Sequence, residues 1–388
     1  MNIDALLAGR SRAVEASGIR RIFDLAATLK DPIDLSIGQP DFQPPAPLQE
    51  ALIEAVKSGR NGYTLSQGVP ALREKLFDRL AVDVGWRRTD DLGLMVTSGT
   101  LGALTLAYMA LLDEGDEIII PDPYFVAYPH LARLIGAHPV FCDTYPDCRM
   151  TAERIEPLIT PRTKAVLLNS PGNPSGVTLT QRECAEVLDL CRRRNVLLIS
   201  DEIYDEFVYD DARDPDSGRC PSPAREPGAE EDVLLVRGFG KSYGCTGWRM
   251  GYAAGPKTLI NEMTKVQQYT FVCAPSISQW GCLAALDTDI TPIVQQYQKR
   301  RDMALAKLEG LTEVANPGGA FYLYPRVPER LGLTGQQFVE KAVENSVLVI
   351  PANVFSERDT HFRISFAAAE DKLEKGLEIL AKLLEGKF

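Results

Sequence analysis

The chain has 388 residues, enough for two domains at roughly 100–200 residues each. Hydrophobic residues make up 45% of the sequence and charged residues 24%, a balance typical of soluble globular proteins. The net charge of −11 argues against a dedicated nucleic-acid-binding protein, because such a protein presents a basic face. It leaves room for small anionic ligands, which a few local cations and helix N-termini can hold.

The eight cysteines include no C-x-x-C pair and the chain has three histidines, so the spacing of a zinc site is missing and no metal is expected. The first residues, MNIDALLAGRSR, lack the apolar segment of a signal peptide. No uncharged apolar stretch approaches the roughly 18–20 residues of a membrane span. These features predict a cytoplasmic protein with reduced cysteines and no membrane partner.

Short strands and helices alternate through the middle of the chain. Apolar runs predict buried strands at Glu117–Ile120, Lys164–Asn169, Val196–Ser200, Val233–Arg237 and Met250–Ala254. Helices are predicted at Leu101–Leu112 and at Thr180–Asn195, the second of which opens with a Thr-x-x-Glu capping box. The alternation predicts an α/β fold with a mostly parallel sheet that is covered on both faces.

The polar, proline-rich segment Asp210–Asp232 predicts a long surface loop. After it, the pattern predicts a second, smaller α+β domain. Its elements are a helix at Tyr297–Leu308, strands at Phe321–Tyr324, Val347–Ile350 and His361–Phe366, and a final helix at Ala369–Leu384. We expect a large domain of residues 46–285 and a small domain formed by residues 1–45 and 286–388.

Three turns follow apolar strands and carry polar groups. Val96–Thr100 leads directly into a helix, where free N–H groups and hydroxyls can hold a phosphate, although Ser and Thr at a helix start are more often simple caps. Asn169–Gly176 is rich in turn residues and lies where α/β folds bind ligands. In Ser200–Tyr204, Asp201 ends a buried strand and needs a partner such as a protonated ring nitrogen, an ion pair or a helix N-terminus.

Two further segments contain cations in unusual surroundings. Gly238–Arg249 is glycine-rich and follows a buried strand, and a lysine in such a partly desolvated place can form a Schiff base. A lone lysine, by contrast, is usually solvated surface. In His361–Phe366, Arg363 lies within an apolar strand, and a buried guanidinium calls for a planar anion such as a carboxylate.

Together, these five motifs resemble those of class I aminotransferases, pyridoxal phosphate (PLP) enzymes of fold type I. The resemblance extends from about Ser17 to the final helix, and Lys241–Arg249 is its most specific part. It implies a large domain with a mostly parallel mixed sheet, a smaller α+β domain and PLP as the cofactor. It also implies a homodimer whose active sites lie at the interface.

The resemblance assigns roles by position. It implies that Lys241, Asp201 and Tyr204 are catalytic, with Lys241 as the Schiff-base lysine. It implies that Gly38, Asn173 and Arg363 bind the substrate. The cofactor-binding residues that it implies are Ser98, Gly99, Thr100, Phe125, Asn173, Asp201, Tyr204, Lys241, Arg249 and Tyr63.

Within that set, each group has a distinct expected contact. Asp201 would keep the pyridine nitrogen protonated, while Tyr204 and Asn173 would bond the phenolic oxygen of the ring. Phe125 would stack on the ring, and Tyr63 would reach the phosphate of the partner subunit. Gly99, Thr100 and Arg249 would hold the phosphate. Arg363 would bind the α-carboxylate, with Gly38 as a backbone contact.

The sequence departs from the family pattern at several positions. Gly238 and Gly240 stand where serines are usual, so the phosphate loses a hydroxyl at Gly238. Leu101 replaces a lysine that reads a side-chain carboxylate in one aspartate-transferring subgroup, and no arginine occurs in Val266–Thr270, where another subgroup has one. Arg20 or Arg21 is a candidate for a distal cation.

The expected activity is transfer of an amino group from an L-amino acid to a 2-oxo acid, with 2-oxoglutarate as the expected acceptor. Either an aspartate aminotransferase-like or a broader, aromatic specificity fits. One alternative is another fold-type I PLP enzyme, such as a C–S lyase or a cyclopropane-forming synthase, because these share Lys241, Asp201 and Arg363. A second is a catalytically inactive PLP-binding regulator, which the acidic charge and the lack of a helix-turn-helix extension oppose.

Overall fold

The computed structural model describes residues 1–15, 18 and 29–388 of the chain. Its strands are β1 (Ile33–Asp34), β2 (Leu92–Thr97), β3 (Glu117–Asp122), β4 (His138–Asp143), β5 (Thr163–Asn169), β6 (Leu197–Asp201), β7 (Val233–Gly238), β8 (Gly251–Pro256), β9 (Tyr322–Leu323), β10 (Val347–Leu348), β11 (Ile350–Pro351) and β12 (Phe362–Ser365). Its α-helices are Gly9–Arg12, Ala46–Lys57, Pro70–Asp83, Gly99–Leu111, Ala127–Ile135, Ala152–Ile155, Gln181–Arg194, Lys257–Thr270, Ser276–Ala285, Thr291–Leu308, Gly335–Glu344 and Glu370–Leu384.

A seven-stranded sheet forms the centre of the fold, in the order β2-β8-β7-β6-β5-β3-β4. Strand β8 is antiparallel to both of its neighbours, and the other strands run in one direction. The carboxyl ends of the parallel strands therefore meet at one edge, and β8 begins at that same edge. The predicted α/β class with a mostly parallel sheet is confirmed.

Both faces of this sheet are buried. Met95, Ile118 and Leu167 belong to an apolar cluster that includes helices Gly99–Leu111 and Lys257–Thr270. The alternate positions along the same strands, such as Leu94 and Ile119, belong to the main core on the other side. Strands with apolar residues on both faces read as continuous apolar runs, which is why the sequence pattern revealed five of them. Each fully buried Leu or Ile contributes roughly 1.5–3 kcal/mol.

The predicted helix boundaries are correct where a cap defines them. Thr180 and Glu183 form the predicted capping box, with Glu183 N–H donating to Thr180 Oγ1 over 3.2 Å and Thr180 N–H donating to Glu183 Oε2 over 2.7 Å. The helix predicted from Tyr297 begins earlier, at Thr291, with a proline in its first turn. Strand β4 was not predicted, because it is an edge strand with exposed ends.

The prediction of a surface loop over Asp210–Asp232 is wrong for its centre. Residues Cys220–Ala224 are buried against helix Gln181–Arg194. Gln181 Nε2 donates to Ser222 O over 3.0 Å, and Ser222 Oγ donates to Glu202 Oε1 over 2.5 Å. These bonds satisfy polar groups that would otherwise keep the segment in water, so the prolines shape a packed turn.

A smaller group of strands lies towards the C-terminal end of the sequence. Strand β1 pairs in parallel with β10, and β12 lies between β11 and β9 as the centre of an antiparallel sheet. The predicted strands in this region exist but are shorter than expected. The domain boundaries after residues 45 and 285 stay a prediction. Among the residues described here, no helix combines the length and the hydropathy that crossing a membrane requires.

Candidate active site

The edge where the parallel strands end borders a cavity of about 370 Å³. Eight of the predicted site residues line it: Gly38, Thr100, Phe125, Asn173, Asp201, Tyr204, Lys241 and Arg363. Gly38 follows β1, Arg363 lies in β12, and the other six lie at or after the ends of β2, β3, β5, β6 and β7. Polar groups from four strand ends, those of β2, β5, β6 and β7, therefore converge with one arginine of the C-terminal strands, as expected for a ligand site in an α/β fold.

Lys241 is half-buried at the centre of the cavity, and its Nζ donates to Gly38 O. Burial, with further contributions from Arg363 and Arg249, lowers the pKa of Lys241 from 10.5 to about 7. Both causes disfavour the ammonium form. A large fraction of this amine is therefore neutral near pH 7, which is the form that attacks a carbonyl.

Asp201 is buried at the end of β6, and no cation pairs with it among the residues that the structure describes. Tyr128 donates its hydroxyl to Oδ2 over 2.8 Å, and Ile203 N–H donates to Oδ1 over 3.3 Å. Burial raises the pKa of Asp201 to about 6, against the lowering effect of the Tyr128 bond. A cation bound in the cavity would satisfy this carboxylate.

Arg363 is buried in β12 with its guanidinium between two aromatic rings. Its Cζ lies 4.5 Å from the centroid of Tyr322 and 4.6 Å from that of Phe355. Nη1 donates to Asn173 Oδ1 over 3.0 Å and Nη2 to Ser36 O over 2.7 Å, while Nε has no partner. Within the described chain no carboxylate pairs with this buried cation, so the site fits a planar anion.

The start of helix Gly99–Leu111 offers free N–H groups that can hold an anion. Ser98 makes no side-chain cap there, which leaves the first-turn N–H groups for a ligand. A Cβ at Gly251 would lie 2.6 Å from Gly99 C, and a Cβ at Gly99 would lie 2.9 Å from Arg249 Nη2. The two glycines thus allow β8 and the exposed guanidinium of Arg249 to approach the helix start.

Gly238 has a structural reason to lack a side chain. A Cβ at this position would lie 2.7 Å from Ile203 Cδ1 and 3.0 Å from Thr100 Cγ2. Ile203 and the methyl group of Thr100 occupy the space that a serine would need. Side-chain donors close to this position include the hydroxyl of Thr100, which lines the cavity, and the guanidinium of Arg249, which lies beside Gly99.

The sequence did not reveal seven residues that also line the cavity: Ile37, Gln39, Tyr128, Asn169, Ile203, Thr246 and Tyr322. Asn169 ends a predicted strand, so its position could have signalled it; Asn169 Nδ2 donates to Asp201 O over 2.9 Å. Tyr128 follows Phe125 at helical spacing. Tyr322 lies in the predicted strand Phe321–Tyr324 and carries no local sequence signal of a site residue.

Other predicted residues lie outside the cavity. The side chain of Tyr63 is 88% exposed and contacts no part of the cavity lining. Leu101 is 37% exposed on the helix that begins at Gly99. Arg20 and Arg21, the candidate distal cations, lie outside the described residues.

The geometry agrees with comparison to known proteins. A family model described as aminotransferase class I and II matches residues 30–380. The chain belongs to this family. An aspartate aminotransferase of Pyrococcus abyssi is 34% identical, with 98% of this chain and 99% of that protein covered. An aromatic-amino-acid aminotransferase of Thermococcus litoralis is 32% identical, with 98% of this chain and 99% of that protein covered.

Solved structures extend the likeness to the fold. The aspartate aminotransferase of Thermus thermophilus, solved with maleate, superposes with a TM-score of 0.90 at 33% identity, covering 97% of this chain and 99% of that one. The recognised family and fold type I architecture are thereby confirmed. As a class I aminotransferase, the chain is a PLP-dependent transferase.

The residues present fit PLP. The cavity offers a buried carboxylate without a cation for the pyridine nitrogen, a low-pKa lysine for the aldehyde and an uncapped helix start for the phosphate. These are the three charged or reactive ends of the cofactor, and each meets a group of complementary chemistry.

Proposed function

We propose that the chain moves an amino group from an L-amino acid to a 2-oxo acid, with Lys241, Asp201 and Arg363 as its principal groups. The observation that supports this assignment is the guanidinium of Arg363, buried without a carboxylate partner in the same cavity as a lysine of lowered pKa. One group would hold the carboxylate of an amino acid while the other acts at its Cα.

The cofactor would be held by residues of the large sheet. Asp201 would face the pyridine nitrogen, with Tyr128 fixing one carboxylate oxygen. Tyr204 and Asn173 would bond the phenolic oxygen, and Phe125 would stack on the ring. The helix start at Gly99, with Ser98, Thr100 and Arg249, would hold the phosphate. When bound, PLP supplies the electron sink for the bond broken at Cα.

Lys241 would do the proton transfer. Its free Nζ, whose pKa of about 7 lies near neutral pH, would act as the general base and take the proton from Cα. Arg363 would orient the donor by its carboxylate, so that the Cα–H bond points towards Nζ. Asn173 accepts from Arg363 over 3.0 Å and so would link the carboxylate fork to the cofactor side.

For the substrate, we infer a range that includes aspartate or aromatic amino acids, with 2-oxoglutarate as acceptor. The names of the relatives from Pyrococcus abyssi and Thermococcus litoralis support both classes. Among the described residues that line the cavity, the cations are Lys241 and Arg363, and both have roles at Cα and its carboxylate. The described lining therefore offers no separate cation to the distal carboxylate of aspartate or 2-oxoglutarate.

We further infer a homodimer with shared active sites. Tyr63 and Leu65 are 88% and 62% exposed, and Tyr269 is 88% exposed. The segment that carries Tyr63 and Leu65 lies beside the helix that carries Tyr269, because Gln267 of that helix donates to Ser66 O. An exposed apolar patch of this kind fits a second copy of the chain, which would receive Tyr63 at its phosphate.

We also infer a cytoplasmic location. All eight cysteines are free thiols, and burial raises the pKa of most of them, as for Cys142 and Cys191, each to about 12. Buried neutral thiols of this kind suit a reducing compartment. Fractionation of the native host would test the location directly.

Lys241→Ala tests the proposed function. Wild-type protein treated with PLP and borohydride should carry the reduced cofactor on the peptide that contains Lys241, and the variant should carry none. A panel of amino donors should give 2-oxo acids that appear only when an acceptor such as 2-oxoglutarate is supplied. Full transamination by the variant, or release of 2-oxo acid without an acceptor, would contradict the assignment; the second result would indicate a lyase.

A further inference from the structure

Tyr322 lies between two parts of the cavity: the part around Tyr204, proposed to bond the ring oxygen of PLP, and the part around Arg363, proposed to bind the substrate carboxylate. It is 1% exposed in β9, and its hydroxyl is 2.9 Å from that of Tyr204. Its ring lies under the guanidinium of Arg363 at 4.5 Å. A Cβ on Gly38 would lie 2.9 Å from the Tyr322 hydroxyl, so this oxygen also faces the backbone that accepts from Lys241. One side chain thus contacts the groups proposed for the ring oxygen and for the carboxylate.

The two hydroxyls have two protons to share. Burial raises the pKa of both Tyr204 and Tyr322, so both stay protonated at neutral pH. Either hydroxyl can be the donor in the isolated pair. An anionic oxygen beside Tyr204 would be the stronger acceptor, so the hydroxyl of Tyr204 would donate its hydrogen bond to that oxygen. The oxygen of Tyr204 would then accept from Tyr322, and such chained bonds strengthen one another.

The aromatic ring of Tyr322 contacts Arg363, in the part of the cavity proposed to bind the substrate carboxylate. The Cζ atom of Arg363 lies over this ring and over that of Phe355, at 4.5 and 4.6 Å from the two centroids. Its Nη groups are already bonded to Asn173 and to Ser36. The two rings leave the edge of the guanidinium as the direction of approach for a carboxylate. Rings on both faces also stabilise a cation that has lost its water.

We propose that Tyr322 is a positioning residue for both halves of the site. Its hydroxyl keeps the proton of Tyr204 directed at the phenolic oxygen of the cofactor, and its ring holds the Arg363 fork in the plane that a substrate carboxylate needs. This inference rests on the proposed function. Loss of the Tyr322 hydroxyl should change the pH midpoint of bound PLP and kcat, whereas loss of its ring should change KM for the amino donor.

Two variants separate these parts. Tyr322→Phe removes the oxygen and keeps the ring, whereas Tyr322→Leu removes both. Tyr324→Phe is the matched control, because Tyr324 is buried two residues away and its hydroxyl lies 3.2 Å from that of Tyr145 instead. The holoenzymes are compared by the pH midpoint of the visible absorption band of bound PLP, and by kcat and KM for the amino donor.

Tyr322→Phe should raise the pH midpoint by about half a unit, because a weaker donor at the phenolic oxygen stabilises the deprotonated form less. Its kcat should fall about three- to tenfold, the range of one neutral hydrogen bond, with KM changed less than about twofold. Tyr322→Leu should shift the midpoint in the same way and also raise KM about tenfold, as the cation loses a ring. Tyr324→Phe should match wild type within about twofold.

The outcomes separate two failures. If wild type forms no borohydride-reducible bond with PLP, the proposed function fails. If wild type behaves as proposed but Tyr322→Phe leaves the midpoint and kcat unchanged, or raises KM as much as Tyr322→Leu, the inference about Tyr322 is wrong. Should the leucine variant not fold, Phe355→Leu tests the ring: it should raise KM with an unmoved midpoint, and an unchanged KM would overturn the stacking role.

Discussion

Replacing Asp201 by Asn should strengthen the cofactor-free protein and weaken cofactor binding. Asp201 is buried, with one oxygen bonded to Tyr128 over 2.8 Å and the other near the N–H of Ile203. An asparagine has nearly the same shape and can keep the bond from Tyr128. It also removes a buried negative charge. In the cofactor-free protein no described cation compensates this charge, whereas in the PLP-bound protein the protonated ring nitrogen would.

The magnitude follows from the pKa of Asp201, which burial raises from 3.8 to about 6. In the folded protein the carboxyl keeps its proton where the unfolded chain has lost it, so stability falls as the pH rises from about 4 to about 6. Above that range the penalty is complete, and a shift of about two units corresponds to about 3 kcal/mol. Relief of this penalty would raise Tm by up to about 4 °C for a chain of this length.

The assay measures Tm of the cofactor-free protein at pH 4 and pH 8, and Kd for PLP. The Tm of the variant should exceed that of wild type at pH 8 and nearly equal it at pH 4. Its Kd for PLP should rise about 100-fold, because a charge pair with the cofactor is lost. Glu202→Gln is the matched control. Its carboxylate accepts from Arg237 over 3.0 and 2.8 Å. Neutralising it removes one of the carboxylates that pair with this buried cation, beside Asp83 and Asp205, and should lower Tm.

A lower Tm for Asp201→Asn, comparable with that of Glu202→Gln, would refute the reasoning, because Asp201 would then have a partner in the cofactor-free fold. An unchanged Kd for PLP would refute the assigned contact with the cofactor.

Three further predictions concern the same cavity. The rate of covalent PLP attachment, measured by absorbance, should rise about tenfold between pH 6 and pH 8 and then level off. The reason is that the pKa of Lys241 is about 7, so its neutral fraction saturates above that range. A hundredfold rise without a plateau would indicate an ordinary lysine. Gly251→Ala should weaken PLP binding about tenfold or more, since its Cβ would lie 2.6 Å from Gly99 C, whereas Gly247→Ala, with nothing within 4 Å, should bind PLP as wild type does in the same titration. Arg363→Lys should raise KM for amino donors about 10- to 100-fold and leave PLP binding unchanged, because it removes a guanidinium that can donate two hydrogen bonds to one carboxylate. An unchanged KM would disprove that role.

Much of the site was predictable because its groups lie at the ends of apolar strands. Asp201 and Asn173 follow runs that had to be buried, and a polar group at such a place needs a partner. Arg363 stood out for the same reason within β12. Sheets of parallel strands bring such ends to one edge, where α/β folds bind ligands, and the family resemblance then assigned Arg363 to the same site.

What the sequence did not reveal depends on neighbours that are far apart in the chain. Tyr322 is a site residue because β9 pairs with β12, which carries Arg363, and that pairing leaves no local signal. Tyr128 is likewise an ordinary apolar helix position until β6 places Asp201 beside it. Residues Cys220–Ala224 are buried through bonds to Ser222 that no composition rule anticipates.

The reversal of β8 has a consequence for how the loaded enzyme holds together. Because β8 returns antiparallel to β7, Lys241 and Arg249 lie on the one connection between these strands. In the proposed site, PLP is covalently attached at the first and held by its phosphate at the second. The cofactor would then hold the two ends of this connection together in the folded state, and a ligand that binds only the folded state stabilises it. Loading would thereby protect this connection, including the exposed Gly247, from proteolytic cleavage.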